Sequence, residues 1–294
     1  MSTTPLHIQH ERRFEANRFV YPVLSRRSRG LSIGVNLNPD KICNFGCIYC
    51  QVDRTVAGDT RFVELDRLLD ELDALLTIAA SGQLYETDKF RSVPPELRRL
   101  NDIAFSGDGE PTTHRNFDEI IAACAEVKRR HGLDEVKLVL ITNASRFHRP
   151  HVQRGLEILD RNQGEIWAKL DAGTEAFFQR VDRSPVPLSR ILENITQAAR
   201  IRPLVIQSLW MQIDGQPPDP AEIQAFCGRL RDITAAGGRL SLIQIYTVAR
   251  RPAESCVAPL ADDQVDRIAA AVARDTGLPV AAFYGSGDLV LPQG

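Results

Sequence analysis

Short apolar runs alternate with longer amphipathic stretches along most of this chain. The runs fall near residues 31–37, 103–106, 136–142, 166–171, 204–210 and 240–247, with a weaker seventh near 279–284. Most are apolar almost throughout and end in polar or glycine turns, which suits strands buried on both faces. Between them, Leu65, Leu68, Leu69, Leu72, Leu75 and Leu76 make a stripe at helical spacing. Phe117, Ile120, Ile121, Cys124 and Val127 make another, closed by Gly132. Asp219-Pro220-Ala221-Glu222 opens a helix with an N-cap, a proline at the first position and an acid at the third. Its stripe runs Ile223, Phe226, Cys227, Leu230, and a last helix follows Asp262 and ends at Gly277. This alternation predicts an α/β fold of parallel strands with right-handed crossovers. An open sheet and a barrel fit the pattern equally well.

The 294 residues are enough for one large α/β domain or two small ones. A net charge of −2 argues against a protein that coats nucleic acid along its whole surface. The N-terminal stretch has no apolar core of the kind a secretory signal needs, and no apolar run approaches the length of a membrane span. Six unevenly placed cysteines do not make a disulfide framework in a chain this long. A reducing cytoplasm is the expected compartment.

Three of those six cysteines sit on one short loop after the first expected strand: Cys43-Asn-Phe-Gly-Cys47-Ile-Tyr-Cys50. Three thiolates so spaced can hold three corners of an iron–sulfur cluster and leave one iron open to bind a small molecule. Zinc with a distant fourth ligand is the competing reading. Structural zinc sites usually take their ligands in two pairs, however, and no second C-x2-C occurs. Cys124 and Cys227 lie on apolar stripes and read as core residues. Cys256, in a proline-containing loop, is either incidental or a functional thiol.

The spacing C-x3-C-x2-C, with Tyr49 just before the last cysteine, resembles the signature of the radical S-adenosylmethionine (SAM) superfamily. That resemblance implies a partial (β/α)6 TIM-like barrel, with chemistry at the C-terminal ends of the strands. It implies a barrel domain over residues 31–294 with a C-terminal extension, preceded by a basic arm over residues 1–30. It also implies a [4Fe–4S] cluster on Cys43, Cys47 and Cys50, SAM on the open iron, and a low-potential flavodoxin- or ferredoxin-type electron donor.

Further segments take a role from the same resemblance, and each has a plainer reading. Ser106-Gly107-Asp108-Gly109-Glu110-Pro111-Thr112 is a turn followed by a helix start. It is also similar to the family's GGEP segment, whose backbone approaches the SAM amino group, with Asp108 in place of a glycine. Gly107, Gly109, Glu110 and Pro111 would line the cofactor there. Thr142 and Asn143 either cap a turn or face the cofactor. Lys169 and Asp171, two apart on a strand, point to one side. They form a buried ion pair, or hold the SAM carboxylate and ribose. Tyr49 joins this cofactor-binding set.

Longer stretches are similar to iron–sulfur oxidoreductases related to tRNA wyosine synthases: Val35-Asn36-Leu37-Asn38-Pro39, Gln51-Val52-Asp53-Arg54, SGDGEPT, KLDAGTEAFFQRVDR and Tyr246-Thr247-Val248-Ala249-Arg250. The similarity spans about residues 20–285. Those synthases carry upstream cysteines for a second cluster, and none precedes Cys43 here. The implied reaction is reductive SAM cleavage to a 5′-deoxyadenosyl radical that abstracts hydrogen from a substrate. A radical-installing activase and a non-enzymatic electron-relay module are the alternatives. Arginines recur after the expected strand ends, as Arg146 and Arg149, Arg180 and Arg183, and Arg250 and Arg251. The arm adds Arg12, Arg13, Arg18, Arg26, Arg27 and Arg29. Such residues usually make a solvated surface. Gathered at one mouth, they point to RNA or a small anionic substrate. Gly285-Ser286-Gly287 follows a strand but has no evident helix after it, which makes a poor phosphate loop.

Overall fold

The apolar runs become strands and the striped stretches become helices. The computed structural model describes residues 14–25, 27–58 and 62–285. Arg12, Arg13 and Arg26 of the arm, and Ser286 and Gly287 of the C-terminal turn, lie outside the described residues. The chain divides into two units, one of Met1–Cys43, Ala57–Ile141 and Arg149–Glu165, the other of Asn44–Val56, Thr142–His148 and Ile166–Gly294.

The first unit carries β1 (Val20–Ser25), β2 (Gly30–Val35), α1 (Leu65–Ala80), β3 (Leu100–Phe105), α2 (Phe117–Arg130), all but the last residue of β4 (Lys137–Thr142), and α3 (Pro150–Asp160). Strands β2, β3 and β4 are parallel, with Ile33 beside Ile103 and Ile103 beside Leu138. Helix α1 packs on β1 and α2, and α2 on α3. The stripes face inward as expected: Leu68, Leu72, Leu75 and Leu76 of α1 and Phe117, Ile120, Ile121, Cys124 and Val127 of α2 are all buried. Gly132, at φ 64°, ends α2 in the left-handed region that favours glycine.

Strand β1 lies inside the stretch expected as a basic arm. It pairs antiparallel with β2, Val20 against Val35 and Leu24 against Leu31. Pro22 cannot donate to a ladder, which lowers the strand signal. It is tolerated because β1 has a neighbour on one side only, at the edge of the order β1-β2-β3-β4.

The second unit continues with most of β5 (Gly164–Lys169), then α4 (Glu175–Val181), α5 (Leu188–Ile201), β6 (Leu204–Leu209), α6 (Pro220–Ala235), β8 (Leu240–Tyr246), α7 (Asp262–Thr276) and β10 (Val280–Phe283). The short strands β7 (Gln212–Ile213) and β9 (Val257–Ala258) pair antiparallel. Strands β5, β6, β8 and β10 are parallel in that order. Lys169, Gln207 and Gln244 stand side by side across three of them. Three long polar side chains therefore occupy one row across these strands.

Helix α6 starts where expected, with Asp219 accepting from Ala221 N at 2.8 Å. Its acid does something else. Glu222 is buried and accepts from Gly173 N (2.5 Å), Thr174 N (3.0 Å) and Thr174 Oγ1 (2.6 Å). It therefore fixes the entry to α4 rather than closing a box on its own helix. Removing it leaves one buried and two part-buried donors without this acceptor. Glu222→Ala is expected to lose about 2–3 kcal/mol in denaturant unfolding, with Glu222→Gln recovering part of it. A loss below about 0.5 kcal/mol, within the range of ordinary surface changes, would remove this role.

Candidate functional site

In the second unit the turn after β5 is built around Asp171, which is 2% exposed. Its carboxylate accepts from Tyr49 Oη at 2.5 Å and from Leu209 N at 2.7 Å. Lys169 Nζ lies 3.1 Å from the same carboxylate and donates to Tyr246 Oη at 2.8 Å. The ammonium also stands 5.0 Å from the Tyr49 ring centre and 5.4 Å from that of Tyr246, within cation–π range. Burial alone would lower the Lys169 pKa. The Asp171 carboxylate and Tyr246 outweigh it, and the net shift is upward. Lys169 is therefore a fixed cation. Burial and the adjacent Asp171 raise the Tyr49 phenol, so it stays a proton donor.

Asp182 follows α4 and faces the same network. Tyr49 Oη and Cys47 Sγ each lie 3.3 Å from its Oδ1, and its Oδ2 is buried with no hydrogen-bond partner. Burial and then the Asp171 charge push the Asp182 carboxyl up to about 8. Burial and then Asp182 raise the Cys47 thiol. Cys47 thus holds its proton here and must lose it to bind metal.

The cysteine loop is fixed by its backbone as well. Gly46 N donates to Asp182 O at 3.0 Å and Ile48 N to Val181 O at 2.9 Å. Asn143 Nδ2 donates to Asn44 Oδ1 at 2.9 Å, and Asn44 Nδ2 to Ser145 Oγ at 2.8 Å. Thr142 Oγ1 accepts from Ala144 N, and Asn143 Oδ1 from Ser145 N, both at 3.1 Å. Thr142 and Asn143 therefore cap the turn after β4, and Asn143 also ties that turn to the loop. Cys43, Cys47 and Cys50 are half-buried and form no disulfide. Among the described residues no group of three Cys, His, Asp or Glu side chains is gathered as a metal site.

In the first unit, Gly107–Pro111 folds against the segment that leads to the cysteines. Asn36 Oδ1 accepts from Asn38 N (3.0 Å) and Asp108 N (3.1 Å), and Asn36 Nδ2 donates to Asp108 Oδ2 (2.7 Å). A Cβ on Gly107 would fall 2.1 Å from Asn36 Oδ1, and one on Gly109 2.1 Å from Ile42 O. Both positions demand glycine for this close approach. Glu110 is 3% exposed, and its carboxylate accepts from Thr112 N (3.2 Å) and Thr112 Oγ1 (2.5 Å). It caps the single turn Pro111–Thr113.

Several groups escape sequence reasoning. Asp182 carries no signal in its spacing, because its role depends on how α4 ends against the cysteine loop. Asn44 reads as loop filler. Gln207 and Gln244, bonded to each other at 2.9 Å, could have been noticed as lone amides within apolar runs. The arginines divide: Arg180 pairs with Asp214 and Arg183 with Glu254, which offsets part of the positive charge expected at the strand ends.

Residues 37–227 match the sequence profile of the Radical SAM superfamily. The chain belongs to that superfamily. It is a radical SAM enzyme, of a family that uses a [4Fe–4S] cluster and SAM, and it carries the family's cysteine motif at positions 43–50. A UPF0026 protein from Helicobacter pylori is 26% identical over 83% of this chain and 70% of its own length. A GTP 3′,8-cyclase from Staphylococcus saprophyticus is 27% identical over 54% of this chain and 40% of its own. The structure of a radical SAM methyltransferase from Sphaerobacter thermophilus aligns at a TM-score of 0.60, covering 90% of this chain and 69% of the other at 14% identity. That likeness shows the fold, the partial (β/α)6 TIM-like barrel of the radical SAM type. Among the described residues no helix is long and apolar enough to cross a membrane.

Proposed function

We propose that this radical SAM enzyme cleaves SAM reductively, with Cys43, Cys47 and Cys50 as the three ligands of its cluster, and acts on an anionic substrate. The cysteine triplet inside the family-matched stretch carries the reading. When bound, the cluster supplies one electron to SAM, giving methionine and a 5′-deoxyadenosyl radical that takes hydrogen from the substrate. The chain's own residues do the holding. Three thiols, none in a disulfide, fit the donor set of such a cluster. Cys47 must turn from Asp182 and release its proton to join them. Lys169 and Asp171 present a fixed cation and a carboxylate, suited to the SAM carboxylate and ribose hydroxyls. Tyr49 holds Asp171 in place. The Gly107–Pro111 backbone accepts the amino end, with Thr142 and Asn143 shaping the turn beside the loop.

Arg146, Arg149 and Arg251 carry no ion pair among the described residues and suit a phosphate- or carboxylate-bearing substrate. The activity named for the cyclase relative, on GTP, accords with that class. A substrate on RNA, as the wyosine-related stretches imply, belongs to the same chemistry. The electron comes from a low-potential flavodoxin- or ferredoxin-type donor. Anaerobic reconstitution is expected to load about four irons and four sulfides per chain. Reduction with dithionite in the presence of SAM then releases 5′-deoxyadenosine and methionine. Zinc without sulfide, or iron loading without SAM cleavage, would overturn the reading.

A further inference from the structure

After β8 the chain runs through residues 250–256 along the far end of the cysteine loop. Arg250 O accepts from Gln51 Nε2 at 3.3 Å, and Ala253 N donates to Cys50 O at 2.7 Å. Cys256 O accepts from Asp214 N at 2.8 Å, and the Cys256 and Cys47 side chains each pack against one apolar cluster, which includes Ile48, Tyr49, Val181 and Val257. One charged contact fastens this segment to the other support of the loop. The two terminal guanidinium nitrogens of Arg183 meet both carboxylate oxygens of Glu254, Nη2 to Oε2 at 2.9 Å and Nη1 to Oε1. This is the two-pronged geometry that makes Arg–carboxylate pairs specific. Arg183 directly follows Val181 and Asp182, whose carbonyls hold Ile48 N and Gly46 N. Its φ of 46° is a left-handed turn that an arginine adopts only when its surroundings require it.

We propose that Arg183 and Glu254 form a clasp that holds residues 250–256 against Cys50, and that both are positioning residues for the Cys50 ligand. The proposal rests on the cluster assignment for its purpose but not for its geometry. The side chains are 51% and 35% exposed, too solvated for the pair to matter much to global stability. Its effect is local: it sets how often the segment lifts from the Cys50 carbonyl. Arg183 is thereby removed from the set of arginines offered to substrate.

The test uses the full chain without metal, reduced and exposed to iodoacetamide, with alkylation of each cysteine followed by mass spectrometry. In Arg183→Ala and in Glu254→Gln, Cys50 is expected to react about three- to fivefold faster, the local worth of one exposed ion pair. Cys43 serves as the internal control and keeps its rate. The charge-swapped variant R183E/E254R returns Cys50 to within about twofold of the unmodified chain, because the same pair forms in reverse. High salt brings the unmodified chain toward the single variants by screening the pair. Single variants indistinguishable from the unmodified chain, or a swapped variant as fast as the single ones, overturn the clasp. In the reconstituted enzyme, iron release to a chelator follows the same order of variants. If no variant binds iron at all, the cluster assignment fails while the alkylation series still decides the clasp.

Discussion

Replacing Cys43, Cys47 or Cys50 with alanine is expected to abolish both the iron–sulfur cluster and SAM cleavage. A site with three protein ligands has no spare thiolate. Losing one exposes a second iron and leaves the cluster on two points of a half-buried loop. Changes behind a metal ligand already cost about 10–100-fold, so loss of a ligand itself should take activity below detection. The matching control is the triple variant at Cys124, Cys227 and Cys256. Two of these lie buried on helices, and the third packs at the edge of an apolar group. That variant should keep full iron content. Iron, sulfide and 5′-deoxyadenosine measured on all four proteins give the answer. Full cluster and activity in any single-cysteine variant of the triplet would end the assignment, and a halved iron content in the triple variant would reveal a second cluster.

The second large effect falls on stability. Asp171→Ala leaves the Lys169 ammonium, 19% exposed at its side chain, without its carboxylate, and leaves Tyr49 Oη and Leu209 N without an acceptor. Breaking a buried ion pair by removing one partner costs about 3–5 kcal/mol. Urea unfolding should show a loss of that order. Removing both charges in Lys169→Met/Asp171→Leu should recover much of it, because an apolar pair of similar volume carries no stranded charge. A loss below about 1 kcal/mol would mean that water reaches Lys169 freely. Asp171→Asn keeps an acceptor and is the better variant for SAM. In folded Asp171→Asn protein, equilibrium dialysis should show weaker SAM binding with the iron content retained, and unchanged affinity would take Asp171 out of the cofactor site.

The strands with an apolar signal were readable because they are buried on both faces. The expected runs at 31–37, 136–142 and 204–210 each overlie a strand to within two residues. Strand β1 was hidden by Pro22 and by its place among arginines, where pairing with β2 rather than local preference makes it a strand. Glu222 shows the same limit from the other side. Its position at the third residue of α6 suits a capping acid, yet the donors that win it are Gly173 N and Thr174 N, about fifty residues away in sequence. For the site, Lys169 and Asp171 stood out as a close Lys–Asp pair, but the expected shared strand face does not hold: β5 ends at Lys169, and Asp171 meets the ammonium from the turn that follows. Tyr49 was legible from the motif. That Tyr49 and Asp171 meet was not, and neither was Asp182, because both facts depend on how the loop lies against the turn after β5 and the end of α4. The pairing of Arg183 with Glu254 likewise joins residues that nothing local connects.

The anchoring of the cysteine loop decides when its ordering cost is met. Gly46 and Ile48 are tied through their amides, Asn44 through its side chain and Tyr49 through its hydroxyl, all to protein groups. The backbone over Asn44–Tyr49 is therefore held by the fold itself, so part of its conformational entropy is met by protein contacts rather than by metal coordination. In small zinc domains, by contrast, metal binding and folding are one event. The loop's shape is thus set by amides and side chains of the fold, not by the thiols.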